Sequence, residues 1–258
     1  MISRRTSALL AVAALGLTGC GSDTATVDST PTPGKRSAGG TLGGGAATVT
    51  LASADGVQVP AGEVAWVATQ VTLAPGDELE HEHSLSTVYA NEGALRLSVD
   101  GSPVTLAQGE GAAVPADSSH VHAAPDQGPS VFWEVRLARP GSPLPGARRS
   151  EPVFESEPLE GIPDAPSLRF IRVDLGPGAE TSIHTHPGPE FIYGTDGTFT
   201  YENGLEGARE FGPGDAAGIP PDTSVQKRNG TEATASFLSW FLVEAGKPFA
   251  PGAAFDGG

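Results

Sequence analysis

The strongest constraint on the fold is that the chain repeats itself. The stretch VTLAPGDELEHEH at 71–83 answers VDLGPGAETSIHTH at 173–186, and AQGEGAAVPADSSHVH at 107–122 answers EFGPGDAAGIPPDTSVQK at 210–227. His83 and His186, which close the two leading stretches, stand 103 positions apart. Repetition at this length means duplicated domains rather than a solenoid of short units. Short β-branched and aromatic runs surround the repeats, among them VAWVATQVTL, VFWEVRLA, LRFIRVDL and SFLSWFLVE, with Gly, Pro and Asp turns between them. Lacking helical periodicity, this pattern predicts an all-β sandwich or barrel in each copy.

All six histidines fall in pairs with one spacer: HEH at 81–83, HVH at 120–122 and HTH at 184–186. On a strand, residues i and i+2 share a face with Cα atoms about 6.5–7 Å apart, so two imidazoles can converge on one ion. A metal at about 2.0–2.1 Å from each nitrogen still needs a third ligand. In the second half Glu190, just past His186, supplies one, giving a set of two histidines and a carboxylate with open coordination positions.

These residues resemble the cupin superfamily. Its first motif, G-x5-H-x-H-x3-E-x6-G, is met by Gly178, His184, His186, Glu190 and Gly197. Its second motif, G-x5-P-x-G-x2-H-x3-N, is met by Gly214, Pro220 and Asn229, with Asp222 for the glycine and Val225 where the histidine ligand belongs. The first half departs in the complementary way. His81, His83, Gly109, Pro115 and His120 match, while Gly76 is one residue too near His81, Thr87 occupies the glutamate position, Asp117 replaces the glycine and Ala124 the asparagine. The resemblance implies two double-stranded β-helix (jelly-roll) barrels in tandem, each with its site inside.

It also implies metal ligands at His81, His83 and His120, a three-histidine set of the kind found in some cupin dioxygenases, and at His184, His186 and Glu190. His122 shares a strand face with His120 and is expected to point inward, as a fourth ligand or as a catalytic acid/base. Its counterpart, Lys227, is expected to reach the rim and solvent. The bland alternative for each set is a hydrogen-bonded patch of core histidines. Trp66, Trp133, Phe132, Phe191, Tyr193, Phe199, Trp240 and Phe241 are expected in the barrel cores.

The ends of the chain bear on location. MISRRTSALLAVAALGLTGC has a basic start at Arg4 and Arg5, an apolar run too short to span a membrane permanently, and small residues before Cys20. The LTGC ending resembles a bacterial lipobox, which makes Cys20, the only cysteine, the expected lipidation site; an unpaired or unused thiol is the alternative. The Arg-Arg pair hints at twin-arginine export, although Ser7 and Ala8 replace the larger apolar residues expected next. The expected organisation is a signal peptide over 1–20, a flexible small-residue tether over 21–47, a first barrel over 48–140, a linker over 141–160, a second barrel over 161–246 and a tail over 247–258.

With 31 acidic against 15 basic side chains, the net charge of -16 repels phosphate backbones and anionic headgroups. Nucleic acid is excluded as a partner, and membrane contact is expected through the lipid anchor alone. What remains is an exported, membrane-anchored protein that binds a divalent transition metal (Mn, Fe, Zn, Cu or Ni) and acts on a small molecule as a dioxygenase-like enzyme. The alternative is a non-catalytic small-ligand or sugar-binding lipoprotein with one degenerate barrel. Which barrel works stays open at this point, with three imidazoles and a spare favouring the first, and so does a homodimer.

Overall fold

In the computed structural model, residue 42 and residues 44–255 are described. Among them the chain forms seventeen strands and no helix. β1 is Ala47–Ala54, β2 Ala65–Leu73, β3 Glu78–His81, β4 Ser86–Glu92, β5 Leu95–Val99, β6 Ser102–Leu106, β7 Gly111–Val114, β8 His120–Ala123, β9 Ser130–Ala138 and β10 Ser150–Glu155. The second series is β11 Pro166–Leu175, β12 Glu190–Asp196, β13 Phe199–Asn203, β14 Gly207–Phe211, β15 Ala216–Ile219, β16 Val225–Arg228 and β17 Ala235–Glu244.

Each half builds a larger and a smaller antiparallel sheet, as an all-β tandem of jelly-roll barrels requires. The first barrel has the sheets β10-β2-β9-β4-β7 and β3-β8-β5-β6, and the second has β1-β11-β17-β12-β15 and β14-β13-β16. Side-chain alternation on the long central strands explains how two barrels share one body. On β9, Phe132, Glu134 and Arg136 face into the first barrel, while Trp133, Val135 and Leu137 join a second apolar layer. On β17, Phe237 and Phe241 face into the second barrel while Leu238, Trp240 and Leu242 join that same layer. The layer unites residues of both halves, including Trp66, Phe170, Phe191 and Trp240, with the Phe170 and Trp240 rings stacked at 4.7 Å. Phe132, Phe199 and Phe241 are therefore barrel core, as expected, whereas Trp66, Trp133, Phe191 and Trp240 fill the seam between the large sheets.

Two strands cross the boundaries expected from sequence. β1, assigned by the sequence to the first barrel, pairs with β11 of the second over Ala47 to Ala54. β10, inside the expected linker, pairs with β2 of the first. The end of the expected tether is also anchored, for Leu42 is buried in the second core and its carbonyl accepts the Ser182 N–H at 2.6 Å. The expected signal peptide, Cys20 and the tether up to residue 41 lie outside the described residues.

Both second-motif turns use an aspartate where glycine was anticipated. Asp117 has φ 57° and Asp222 has φ 58°, the left-handed region that Asp and Asn enter more readily than other side-chain-bearing residues. The N–H of Asp117 donates to His83 O at 3.0 Å and that of Asp222 to His186 O at 2.9 Å. The turn thus ties the second motif of each half to the backbone of the second histidine of its leading pair.

Candidate metal centre

The histidine pairs converge by two routes. His120 and His122 sit on β8 with alternating burial, so the shared-face expectation describes them directly. The leading pairs differ: His81 ends β3 and His83 lies past it, while His184 makes isolated bridges to Val225 and Gly252. The segment that carries His186 toward Glu190 includes Gly188 at φ 155°, where an added Cβ would stand 2.0 Å from Leu242 O. No residue with a side chain fits that close approach.

In the first barrel His81, His83, His120 and Glu134 each bring one ligand atom into a group whose members all lie within 4.8 Å of one another. These four residues could hold a metal ion. The three histidines are set for it, because each Nδ1 faces a backbone carbonyl: His81 that of Pro145 at 2.9 Å, His83 that of Ser84 at 2.7 Å and His120 that of Ser118 at 2.9 Å. Donation from Nδ1 leaves a lone pair on Nε2, which a metal needs. The Nε2 atoms of His83 and His120 are buried without a hydrogen-bond partner, and an ion is the acceptor-only group's natural complement there. Glu134 Oε2 lacks a hydrogen bond of suitable angle, although His122 Nε2 is only 2.8 Å away.

Glu134 is the candidate ligand that motif spacing missed. Its oxygens lie 3.2 Å from His83 Nε2 and 3.8 Å from His81 Nε2. The carboxylate is completely buried, and Ser86 Oγ donates to its Oε1 at 2.5 Å. An acidic residue in the apolar run VFWEVRLA, in phase with the inward Phe132, was the available signal.

Thr87, the residue aligned with the missing glutamate, is not at the site. Its Oγ1 accepts the indole N–H of Trp240 at 2.8 Å in the seam between barrels. Both halves carry a bulge on the same strand pair, between Ala90 and Glu92 and between Gly194 and Asp196. Counting from it, Ser86 takes the place of Glu190, and Glu134 the place of Ser239. The second barrel closes the same pair in reverse, with Ser239 Oγ donating to Glu190 Oε1 at 3.1 Å. Each barrel therefore holds one serine and one carboxylate on these two strands, with their positions exchanged.

His122 points inward as expected, with its Nε2 3.2 Å from His81 Nε2 and its ring stacked on Phe132. Burial lowers the His81 basicity and pushes His120 down to about 4. At His83 burial opposes the charge, but the Glu134 carboxylate outweighs it and the shift is upward. Glu134 itself would be raised by burial, yet His122 and His83 hold it well below the usual carboxylate range.

The second barrel brings its residues together differently. His184 and His186 have ring centroids 4.9 Å apart, and His186 Nε2 lies 3.6 Å from Glu190 Oε2. Their Nδ1 atoms face the carbonyls of Ser182 and Phe249, both at 2.7 Å, and both Nε2 atoms are buried without a partner. The expected tail supplies that Phe249 carbonyl, and the Phe249 ring packs on His186. Lys227 corrects its expectation: it is 1% exposed and points inward, with Nζ 3.3 and 3.4 Å from the Glu190 oxygens. An internal carboxylate holds the lysine back from the rim. Burial pushes His186 down to about 4. For Glu190, burial works upward, and the Lys227 ammonium together with His186, His184 and the Ser239 hydroxyl reverses it, so the net shift is downward.

The Cupin domain family matches residues 69–136 and 171–241. No curated protein matches the chain in sequence. Among solved structures, AerE from Microcystis aeruginosa is similar with a TM-score of 0.50 and 15% identity, over 83% of this chain and 98% of that one. A mutant oxalate decarboxylase from Bacillus subtilis gives 0.49 and 16% over 74% and 72%. Salicylate 1,2-dioxygenase from Pseudaminobacter salicylatoxidans gives 0.46 and 15% over 69% and 71%.

Proposed function

The chain belongs to the cupin family, with two copies of the domain, and on that premise we propose that its first barrel is the working centre of a divalent-metal enzyme acting on a small molecule. The observation that carries this reading is the convergence of His81, His83, His120 and Glu134 within 4.8 Å, with imidazole lone pairs turned inward. A bound divalent ion would supply Lewis acidity, and a redox-active one such as Mn or Fe would also supply the electron transfer that a dioxygenase-like reaction requires. Protein groups then divide the remaining work. Pro145, Ser84 and Ser118 fix the histidine tautomers through their carbonyls, and Ser86 orients Glu134. His122, beside Glu134 and His81 but outside the four-residue group, holds or moves a proton at Nε2. Burial excludes bulk water, since the His81 and His83 side chains are 3% and 4% exposed.

That closure favours a second reading, a protein that retains an ion or small ligand without turnover. Metal analysis of the full chain, followed by substrate screening of the loaded protein, separates the two. One equivalent of metal lost on His81→Ala, with product formation lost in parallel, supports the enzyme; retention of metal without any product supports the binding protein. Absence of metal uptake sinks the enzyme and the ion-retaining form of the second reading, and leaves only a metal-free small-ligand binder.

The reading extends to location. Lipid on Cys20 would hold the barrels at the outer face of a bacterial membrane, since a basic n-region, a short apolar run and LTGC precede the body. Cys20→Ala is expected to abolish labelling by a fatty-acid probe and release the protein from the membrane fraction; labelling that persists would end this part of the proposal.

A further inference from the structure

The two barrels differ most in what stands at the positions of His120 and His122. Both strand pairs end in register, Val99 with His120 and Asn203 with Val225, so Val225 replaces the first imidazole and Lys227 the second. Val225 is fully buried and offers no ligand. Lys227 is 1% exposed and Glu190 2%, and the ammonium lies 3.3 Å from one carboxylate oxygen and 3.4 Å from the other. The charge that Glu190 would lend to an ion is already neutralised. A divalent cation among His184, His186 and Glu190 would also meet a positive charge held in the same dry interior, where repulsion is poorly screened.

We propose that Lys227 is a built-in cation, taking the electrostatic place of a metal in the second barrel, so that this barrel stays metal-free while the ammonium is present and becomes a two-histidine, one-carboxylate metal site when it is removed. The residues left behind suit that role. His184 and His186 keep Nδ1 on backbone carbonyls and turn unpartnered Nε2 atoms inward, beside a carboxylate that Ser239 also orients. Glu190 also borders a cleft of about 440 Å³, lined by Leu159, Arg209 and Ile219 among others.

The proposal stands apart from the first-barrel reading, and its test keeps the two distinct. In a full chain carrying His81→Ala and His83→Ala, bound Mn(II) and Zn(II) are counted by elemental analysis after dialysis and titrated by calorimetry. The expected result is no bound ion with Lys227 in place, and one equivalent when Lys227→Met is added. Lys227→His, which installs the residue that the first barrel carries at this place, is the second variant and gains an ion as well. An ion retained in the second barrel with Lys227 present overturns the proposal, however the variants fold. So does failure of the variants to bind while circular dichroism and a single melting transition show them folded. With the first-barrel histidines intact, the native chain holds one equivalent; if only the first-barrel reading fails, it holds none, yet Lys227→Met still gains one.

Discussion

Ser86 and Glu134 form a hydrogen-bonded pair at 2.5 Å that the second barrel repeats with its members exchanged, Glu190 on the strand of the serine and Ser239 on that of the carboxylate. The pocket fixes where a carboxylate must be, and either strand can deliver it. Glu134→Ser is expected to abolish first-barrel metal binding, and Ser86→Glu added to it to restore most of it. Ser86→Ala, which removes only the orienting donor, is expected to weaken metal affinity about 10- to 100-fold. Calorimetric titration with Mn(II) checks all three; a double variant as inactive in binding as Glu134→Ser would refute the exchange.

Thr87 provides the contrast, one residue along the same strand. Its hydroxyl accepts the Trp240 indole N–H in the seam, so Thr87→Val leaves a buried donor unpaired. The expected cost is about 1–3 kcal/mol of unfolding free energy with metal stoichiometry unchanged. Urea denaturation and elemental analysis of the same sample measure both quantities.

At Asp117 and Asp222 the backbone, rather than the carboxylate, is what the fold uses. Both lie near φ 57–58° and tie their turns to His83 and His186. Glycine at either position is expected to be tolerated within about 0.5 kcal/mol, as for a change that breaks no contact. Valine is expected to cost about 1–2 kcal/mol for the left-handed conformation alone. Equal stability of the glycine and valine variants would show that the turn conformation carries no energetic weight.

Acid should unfold the metal-free protein early. His120 and His186 drop from 6.5 to about 4 on folding because burial disfavours their charged forms. Between those values the unfolded chain binds more protons than the native one, so stability falls as pH falls from 6.5 and levels off for these groups below about 4. Glu134 and Glu190, held below their ordinary range, extend the loss to lower pH. His83, whose shift is upward, works the other way and adds stability as pH falls toward 6.5, so the decline is expected below that value. Melting temperatures of chelator-treated protein should fall from pH 6.5 to pH 4; a flat profile over that range would contradict the assigned burial.

Much of this architecture is written in local pattern, and what escapes it depends on partners far along the chain. The repeat and the histidine pairs announce two barrels, and the resemblance to the cupin motifs groups His81, His83 and His120, because motif spacing is a property of short segments. Glu134 escapes local pattern: it sits on β9 in a run otherwise read as core, and its place appears only when β9 pairs with β4. Thr87 misleads for a related reason, since Ser86 holds the equivalent place, only two residues intervening after His83 where three follow His186. Lys227 reads as a solvent-seeking side chain until Glu190, on another strand, is seen to face it.

The crossing of β1 to the second barrel and of β10 to the first also limits how this chain can be divided. Expression of the halves as separate polypeptides divided before Ser150 strips an outer strand from each large sheet and leaves a bare row of amide and carbonyl groups. Such margins recruit neighbouring molecules and seed aggregates. Fragments are therefore expected to be soluble only when co-expressed, reassembling as a complemented pair.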